Sequence, residues 1–437
     1  MAYTDNVLKQ VATLADANLG ILQNSKPLTK YSNKKFQDFV SRTANLGDTV
    51  NIQKPFRMNY KNQTAADFSS AGAQVVVRWQ PLTLDTPFES SWQVDTVQFA
   101  EYPFNDYKNG IGKSQMASIA TGVENFLASQ IPLHTFRSWA NVNRSASSSA
   151  VITAPGSFGE LSQIYQRMVS FGIPDASDAR MFIANDSIPA IVNSGLAQFA
   201  LQRNDKMAMS YDVGDFGGVS FHSSNMLQAH QSGTVGDANI PTTVTNLSSD
   251  GLTLTVATGN NATFKKNDII SIVLKGSSTF NYLKWTGYTP GTEIVQVRVT
   301  ADVTASGTGD AALPIYPALI YDAAGNNTER NIPLDINATI AASGVFDVYC
   351  LPSHRCGVFM VSNPLYFASP KLCDLSPFAT SVKTDADTGM SLRAAYGSTL
   401  DTKVTGYTVD IYTGATAIDE YMIRVCFPLQ SSLGGYY

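Results

Sequence analysis

The residues able to do chemistry are few, and their spacing argues against the familiar uses. Gly112-Lys113-Ser114 invites a phosphate loop, in which backbone N–H groups of a glycine-rich turn wrap the phosphates. Such a loop needs a glycine five residues before Gly112; that position is Tyr107, and no buried strand leads in. The tripeptide is therefore expected to start a helix. Cys350, His354 and Cys356 lie close together, with Cys373 downstream. Structural zinc takes paired cysteines two to four residues apart and four ligands, whereas five residues separate Cys350 from Cys356. Buried free thiols in strands are the simpler reading. His134, His222, His230 and His354 are scattered, and Asp385 and Asp387 sit in a polar turn where solvent satisfies them. The sequence has neither a Gly-x-Ser-x-Gly elbow for a nucleophilic serine nor a His-Glu-x-x-His pair for a metal. No catalytic residue, cofactor site or metal site is expected, and the chain does not read as an enzyme.

Composition points the same way. The 437 residues hold 30 Lys+Arg against 35 Asp+Glu, a net charge of −5, so the basic stripe of a nucleic-acid binder is missing. Only 15% of residues are charged, well below the usual ~25% for a soluble chain, while 44% are hydrophobic. A chain so poor in charge is expected to hide much of its surface against other subunits. The four cysteines fall in the last quarter and are too sparse for a disulfide scaffold, which suggests a reducing compartment. Met1-Ala2-Tyr3-Thr4-Asp5 lacks the order of a signal peptide, and no window reaches ~18 consecutive apolar residues. A cytoplasmic origin and no membrane contact are expected.

The elements then fall into order. Val7, Val11, Leu14, Leu19 and Leu22 give residues 6–23 a helical stripe, and Lys30, Lys34 and Lys35 follow. Residues 49–100 read as extended, with strands at 50–52, 74–79 and 92–97 and a polar tip from Gln63 to Gly72. Met116, Ile119, Val123, Phe126 and Leu127 predict a long helix over 111–131, which Pro132 should kink or end. Ser157 and Glu160 form a capping box before Leu161, Ile164 and Met168, and Gly172 stops that helix. A short strand over 181–184 and a further helix from Ser187 follow, then a Gly-rich turn feeding a strand to Phe221.

From 230 to 343 the helical pattern vanishes. Leu252/Leu254/Val256 and Val295/Val297/Val299 alternate with polar residues, the period of half-buried strands. Leu252, Leu254, Val256, Ile270, Ile272, Val295, Val297 and Val299 are the expected core of an inserted all-β barrel. The fold class is α+β with that module set into it.

This layout resembles the tailed-bacteriophage major capsid protein of the HK97-type fold. Two segments carry the likeness: Gly214 to Leu227, with Gly217-Gly218, Phe221 and Ser224-Asn225, and the C-terminal run from Gly389-Met390-Ser391-Leu392-Arg393 through Val404–Ile418 to Tyr421–Phe427. Phe264 to Ile272 with the Glu293–Thr300 strand resembles the β-barrel insertion of the P22-type coat branch. The resemblance implies an N-terminal arm and entry to a peripheral domain (1–48), an extended loop (49–100) and a spine helix (101–144). It then implies a first part of an axial domain (145–229), the barrel (230–343), a second axial part (344–388), and C-terminal peripheral strands returning to the axial domain (389–437). It further implies pentamers and hexamers closing into an icosahedral shell around dsDNA held without sequence-specific grip. A scaffolding protein and a portal are the implied partners, and the shell would assemble in the host bacterial cytoplasm. A β-rich adhesive or carbohydrate-binding protein is the alternative the Thr/Asn/Gly-rich module leaves open. Arg57, Lys61, Asp67 and Arg78 lie on the loop with little apolar company, so their partners are expected on another subunit.

Overall fold

The computed structural model describes residues 26–34, 47–58, 76–95, 108–145, 149–155, 158–174, 177–188, 212–216, 218–276, 280–323, 327–373, 379–384, 391–398 and 404–429. The chain divides into two compact units. The first takes Met1–Ile52, Gln80–Gln130 and Asn363–Ala417; the second takes Gln53–Trp79, Ile131–Ser362 and Ile418–Tyr437. The expected helix over 6–23, the expected helix from Ser187 beyond residue 188, and the capping Ser157 lie outside the described residues.

The first unit is built on one long strand, Val404–Ala417. Thr86–Asp95 runs antiparallel to it over ten residue pairs, from Val404↔Asp95 to Thr413↔Thr86. Ser391–Ser398 lies on its other side, followed by Ala379–Thr384, and Leu365–Ala368 continues the sheet. Trp92 stacks on Tyr407 with centroids 4.6 Å apart, and Arg393 forms an ion pair with Asp410 directly opposite. Such cross-strand pairs fix the register, because a slip of one residue would turn every side chain to the other face.

The helix Lys113–His134 begins where Gly112-Lys113-Ser114 was expected to start one. Its Met116, Ile119, Val123 and Leu127 are all buried, at the i, i+3, i+4 spacing that turns one stripe inward. Gly122 lies under the Phe88 ring, where a Cβ would stand 3.0 Å from a ring carbon. The fully buried Glu124 accepts hydrogen bonds from Leu28 N (3.0 Å), Thr29 N (2.9 Å) and Thr29 Oγ1 (3.0 Å). It thereby satisfies free N–H groups at the start of the short Pro27–Tyr31 helix. Pro132 does not end the spine helix at once; the helix runs two residues further, and its last turn belongs to the second unit.

The second unit combines a mixed sheet with a closed barrel. The sheet runs Ser138–Trp139, Met422–Phe427, His354–Met360, Arg180–Ala184, Val219–Ser224, Asp212–Phe216. Phe158–Phe171 buries Leu161, Ile164, Met168 and Phe171, and Gly172 ends it at φ +76°, as a left-handed C-terminal position favours. In the barrel, Ile269–Leu274 pairs with Phe346–Cys350, then come Thr242–Leu247, Thr253–Ala257, Asp310–Tyr316 and Pro290–Val299, which pairs back with Ile269–Leu274. Closure removes the exposed sheet edges. Its wall is tied to the neighbouring sheet and helix: Ser138 N donates to Gln296 Oε1 (2.7 Å), and Arg167 Nε donates to the buried Glu293 (2.8 Å).

Seven of the eight expected barrel core residues are fully buried: Leu254, Val256, Ile270, Ile272, Val295, Val297 and Val299. Leu252 is not; it is 46% exposed. It precedes the strand, in a turn where its N–H donates to Asp250 Oδ1, so the alternation does not yet apply to it. Two expected boundaries also move. The barrel is closed by Phe346–Cys350, beyond the expected end at 343. The crossing into the first unit comes at Asn363 rather than 389, because Leu365–Ala368 already pairs with Val404–Ala417.

Candidate functional site at the root of the long loop

Two chain legs, 53–58 and 76–79, flank residues 59–75, expected from the sequence to form the loop; Lys61 and Asp67 lie outside the described residues. Of the expected strand over 74–79, residues 74 and 75 lie outside the described residues, residues 76–78 are not in a strand, and pairing with Thr49–Gln53 begins at Trp79. The legs are held to each other by Lys54 N donating to Arg78 O (2.9 Å) and Arg78 Nη2 donating to Pro55 O (3.3 Å).

Three cations on these legs meet aromatic rings and carboxylates of the second unit. The Arg57 guanidinium lies over Trp285 (4.7 Å to the centroid) and Tyr288 (5.4 Å), and Arg78 lies over Trp285 (5.3 Å). Trp285 Nε1 donates to Phe56 O (3.0 Å), which locks the ring beneath them. Arg78 reaches Glu329 (3.4 Å) and Glu420 (3.3 Å). Lys54 pairs with Asp419, lies 3.7 Å from Glu420, and donates to Tyr316 Oη (3.0 Å); Tyr316 Oη in turn donates to Asp419.

The residue types suit these positions. A guanidinium is planar and weakly hydrated, so it can be buried against ring faces where an ammonium would lose its water. Among the described residues Arg57 Nε and Nη2 find no hydrogen-bond acceptor, and the ring faces stand in for one. Burial lowers the Arg57 pKa to about 10, which leaves the group charged at neutral pH. For Lys54, burial alone would lower the pKa, but Asp419 and then Glu420 hold it well above the ordinary lysine range.

Arg57 and Arg78, whose partners are expected on another subunit, already meet rings and carboxylates of their own chain. Sequence spacing could not show it, because Trp285, Tyr288, Glu329 and Glu420 lie more than 200 residues away. The available signal was Trp285-Thr286-Gly287-Tyr288, an aromatic pair in a polar module and outside its alternating strands. Arg57→Ala is expected to cost about 2 kcal/mol by losing two cation–π contacts and their packing. Urea unfolding of the purified chain measures it, and a loss below about 0.5 kcal/mol would return Arg57 to the surface class.

No group of His, Cys, Asp and Glu among the described residues could hold a metal ion, and no helix among them is long and apolar enough to cross a membrane.

No family model matches the sequence, and no curated protein matches it. Among solved structures, the chain is similar to the capsid of Ralstonia phage GP4, at 8% identity over 93% of this chain and 92% of that chain, with a TM-score of 0.43. A structure from Mycobacterium phage Che8 is similar at 8% identity over 92% and 90%, with a TM-score of 0.41. The capsid of cyanophage P-SCSP1u is similar at 10% identity over 88% and 85%, with a TM-score of 0.40.

Proposed function

We infer that the chain is a major capsid protein of the HK97-type fold, whose function is its contacts with further copies of itself. One observation carries this reading: the loop root is clamped inside and apolar outside. Phe56, Met58, Val76, Val77 and Trp79 are 37%, 59%, 42%, 50% and 53% exposed. They are five of the thirteen exposed large apolar side chains among the described residues, gathered on ten residues of chain. Water does not favour such a cluster, and a lone exposed residue would need no explanation, so this run is a contact surface. The buried charges behind it hold the legs in place, which lowers the ordering cost of binding.

The occupant is a second copy of the chain. A low-charge composition suits a subunit enclosed by its own kind, and closed symmetric assemblies reuse one patch many times. In this reading the first unit is the peripheral domain, the second is the axial domain with its inserted barrel, and Lys61 and Asp67 belong to the loop tip that reaches the neighbour. Pentamers and hexamers, an enclosed dsDNA, a scaffolding protein, a portal and assembly in a bacterial cytoplasm follow from the same reading, and the closed barrel supports the P22-type branch.

The test is the triple variant Met58→Ser, Val77→Ser, Trp79→Ser, co-expressed with the scaffolding protein. Thermal unfolding of the subunit should change by about 1 kcal/mol or less per residue, since half or more of each side chain is already in water. Closed shells counted by negative-stain electron microscopy should fall at least ~10-fold, because a shell multiplies a small loss per contact. Shells at the unsubstituted yield would show that the patch is not an assembly contact.

A further inference from the structure

Cys356 and Cys426 face each other across two neighbouring strands. His354–Met360 and Met422–Phe427 pair antiparallel, with Cys356 directly opposite Cys426. The directions of the backbone groups decide which kind of pair this is. Cys356 N donates to Gln228 O (2.8 Å), on the side away from Met422–Phe427. Arg424 N donates to Arg137 O (2.9 Å), on the side away from His354–Met360, and Cys426, two residues on, shares that direction. At the other parity, Val361 N donates to Tyr421 O (3.1 Å), between the strands. The two cysteines are thus a non-hydrogen-bonded pair, with Cα atoms about 4.5 Å apart and side chains on one face. A disulfide takes Cα separations of about 4.4–6.8 Å, so the register already meets its geometry.

Both thiols are free and fully buried, and Cys426 packs with Ile152, Ile269 and Leu351. Burial pushes both above the ordinary thiol range, against the opposing effect of Arg424, and Cys356 adds to the rise at Cys426. Few thiolates are then present at neutral pH, so attack in the closed fold is slow.

We propose that Cys356 and Cys426 form a latent cross-strand disulfide, closed when a low-molecular-weight disulfide acts as oxidant. One thiolate attacks the reagent's S–S bond, leaving a mixed disulfide and releasing one reagent thiol. The second thiolate displaces the other reagent thiol, and the protein S–S bond forms. The reagent gains the two electrons, and the two protein protons end on its two thiols. Met422–Phe427 is the strand by which the chain re-enters the second unit after Asn363–Ala417, so the bond staples the returning strand to the strand it left.

The full chain carrying Cys373→Ser, which removes the exposed thiol, is treated with an aromatic disulfide reagent in buffer and in sub-denaturing urea. Remaining thiols are then blocked and the protein is digested without reduction. The peptide bearing Cys356 should be linked to the peptide bearing Cys426, the link should vanish on reduction, and it should be absent when Cys356→Ser is added. The oxidised protein should melt on the order of 5 °C higher, because the bond restrains the unfolded chain. Stable mixed disulfides at both cysteines, a link to Cys350 instead, or both thiols still free under both conditions would each overturn the proposal.

Discussion

Lys54→Met should destabilise the subunit by about 3–5 kcal/mol at neutral pH, the cost of leaving a buried ion pair without one partner. Lys54 is 7% exposed, while Asp419 and Glu420 are each 2% exposed, so water cannot make up for the lost cation. Arg78 still reaches Glu420, and Asp419 would keep Tyr316 Oη and the Glu420 carboxyl as donors, but among the described residues no cation beside it takes the place of Lys54. The loss should shrink markedly at pH 5, where the stranded carboxyls can take up protons instead of remaining charged.

The unsubstituted protein should have a pH dependence of its own from the same groups. Burial, and then the neighbouring Asp419 charge, push the Glu420 carboxyl above its ordinary range. The folded form then holds that proton more tightly than the unfolded chain does. Its contribution is complete below the ordinary glutamate range and is lost as pH climbs through neutrality. Asp419 moves the other way: burial alone would raise it, but Lys54 holds it below the ordinary range. Its contribution is present above the ordinary aspartate range and is lost in strong acid. In urea unfolding these two groups should therefore contribute most in mild acid, while His134 and His354, held below the ordinary imidazole range by burial, favour the fold as pH rises through that range. An equal loss in Lys54→Met at both pH values would remove the network from the account of stability.

What the sequence made legible was whatever depends on period. Leu254, Val256, Val295, Val297 and Val299 alternate, and each is fully buried in the barrel; Met116, Ile119, Val123 and Leu127 follow the helical period and are buried too. Alternation does not say where pairing starts, which is why Leu252 continues the pattern on paper yet sits in a turn. Nor does it say which sheet a strand joins. Phe346, Val348 and Cys350 alternate with Asp347 and Tyr349 as any half-buried strand would, and only the pairings on both sides put that strand in the barrel. The loop root was illegible for a different reason. A basic residue in a polar stretch is normally solvated, and only tertiary structure brings Trp285 and Tyr288 beneath Arg57.

The same limit hides Arg424, which in sequence is one charge in an apolar strand. In the fold it is fully buried. Its Nε donates to Thr135 Oγ1, its Nη1 to Asn267 O and its Nη2 to Pro132 O, each at 2.9 Å. The acceptors explain the charge. The last carbonyls of the spine helix lack partners within the helix, and a cation there also meets the negative end of the helix dipole. The bond to Asn267 O holds the barrel turn, so one side chain joins the helix end, the sheet and the barrel. Replacing a buried ion pair by an apolar side chain can be neutral when both partners go, but here the acceptors are backbone and hydroxyl groups that stay behind. Arg424→Met, close in volume, should therefore cost about 3–5 kcal/mol, the sum expected for a few stranded acceptors. Arg424→Lys should fall between, since one ammonium cannot reproduce the planar spread of three bonds. Urea unfolding of the two variants orders them. A methionine variant as stable as the unsubstituted chain would show that the helix end and the barrel turn find other donors.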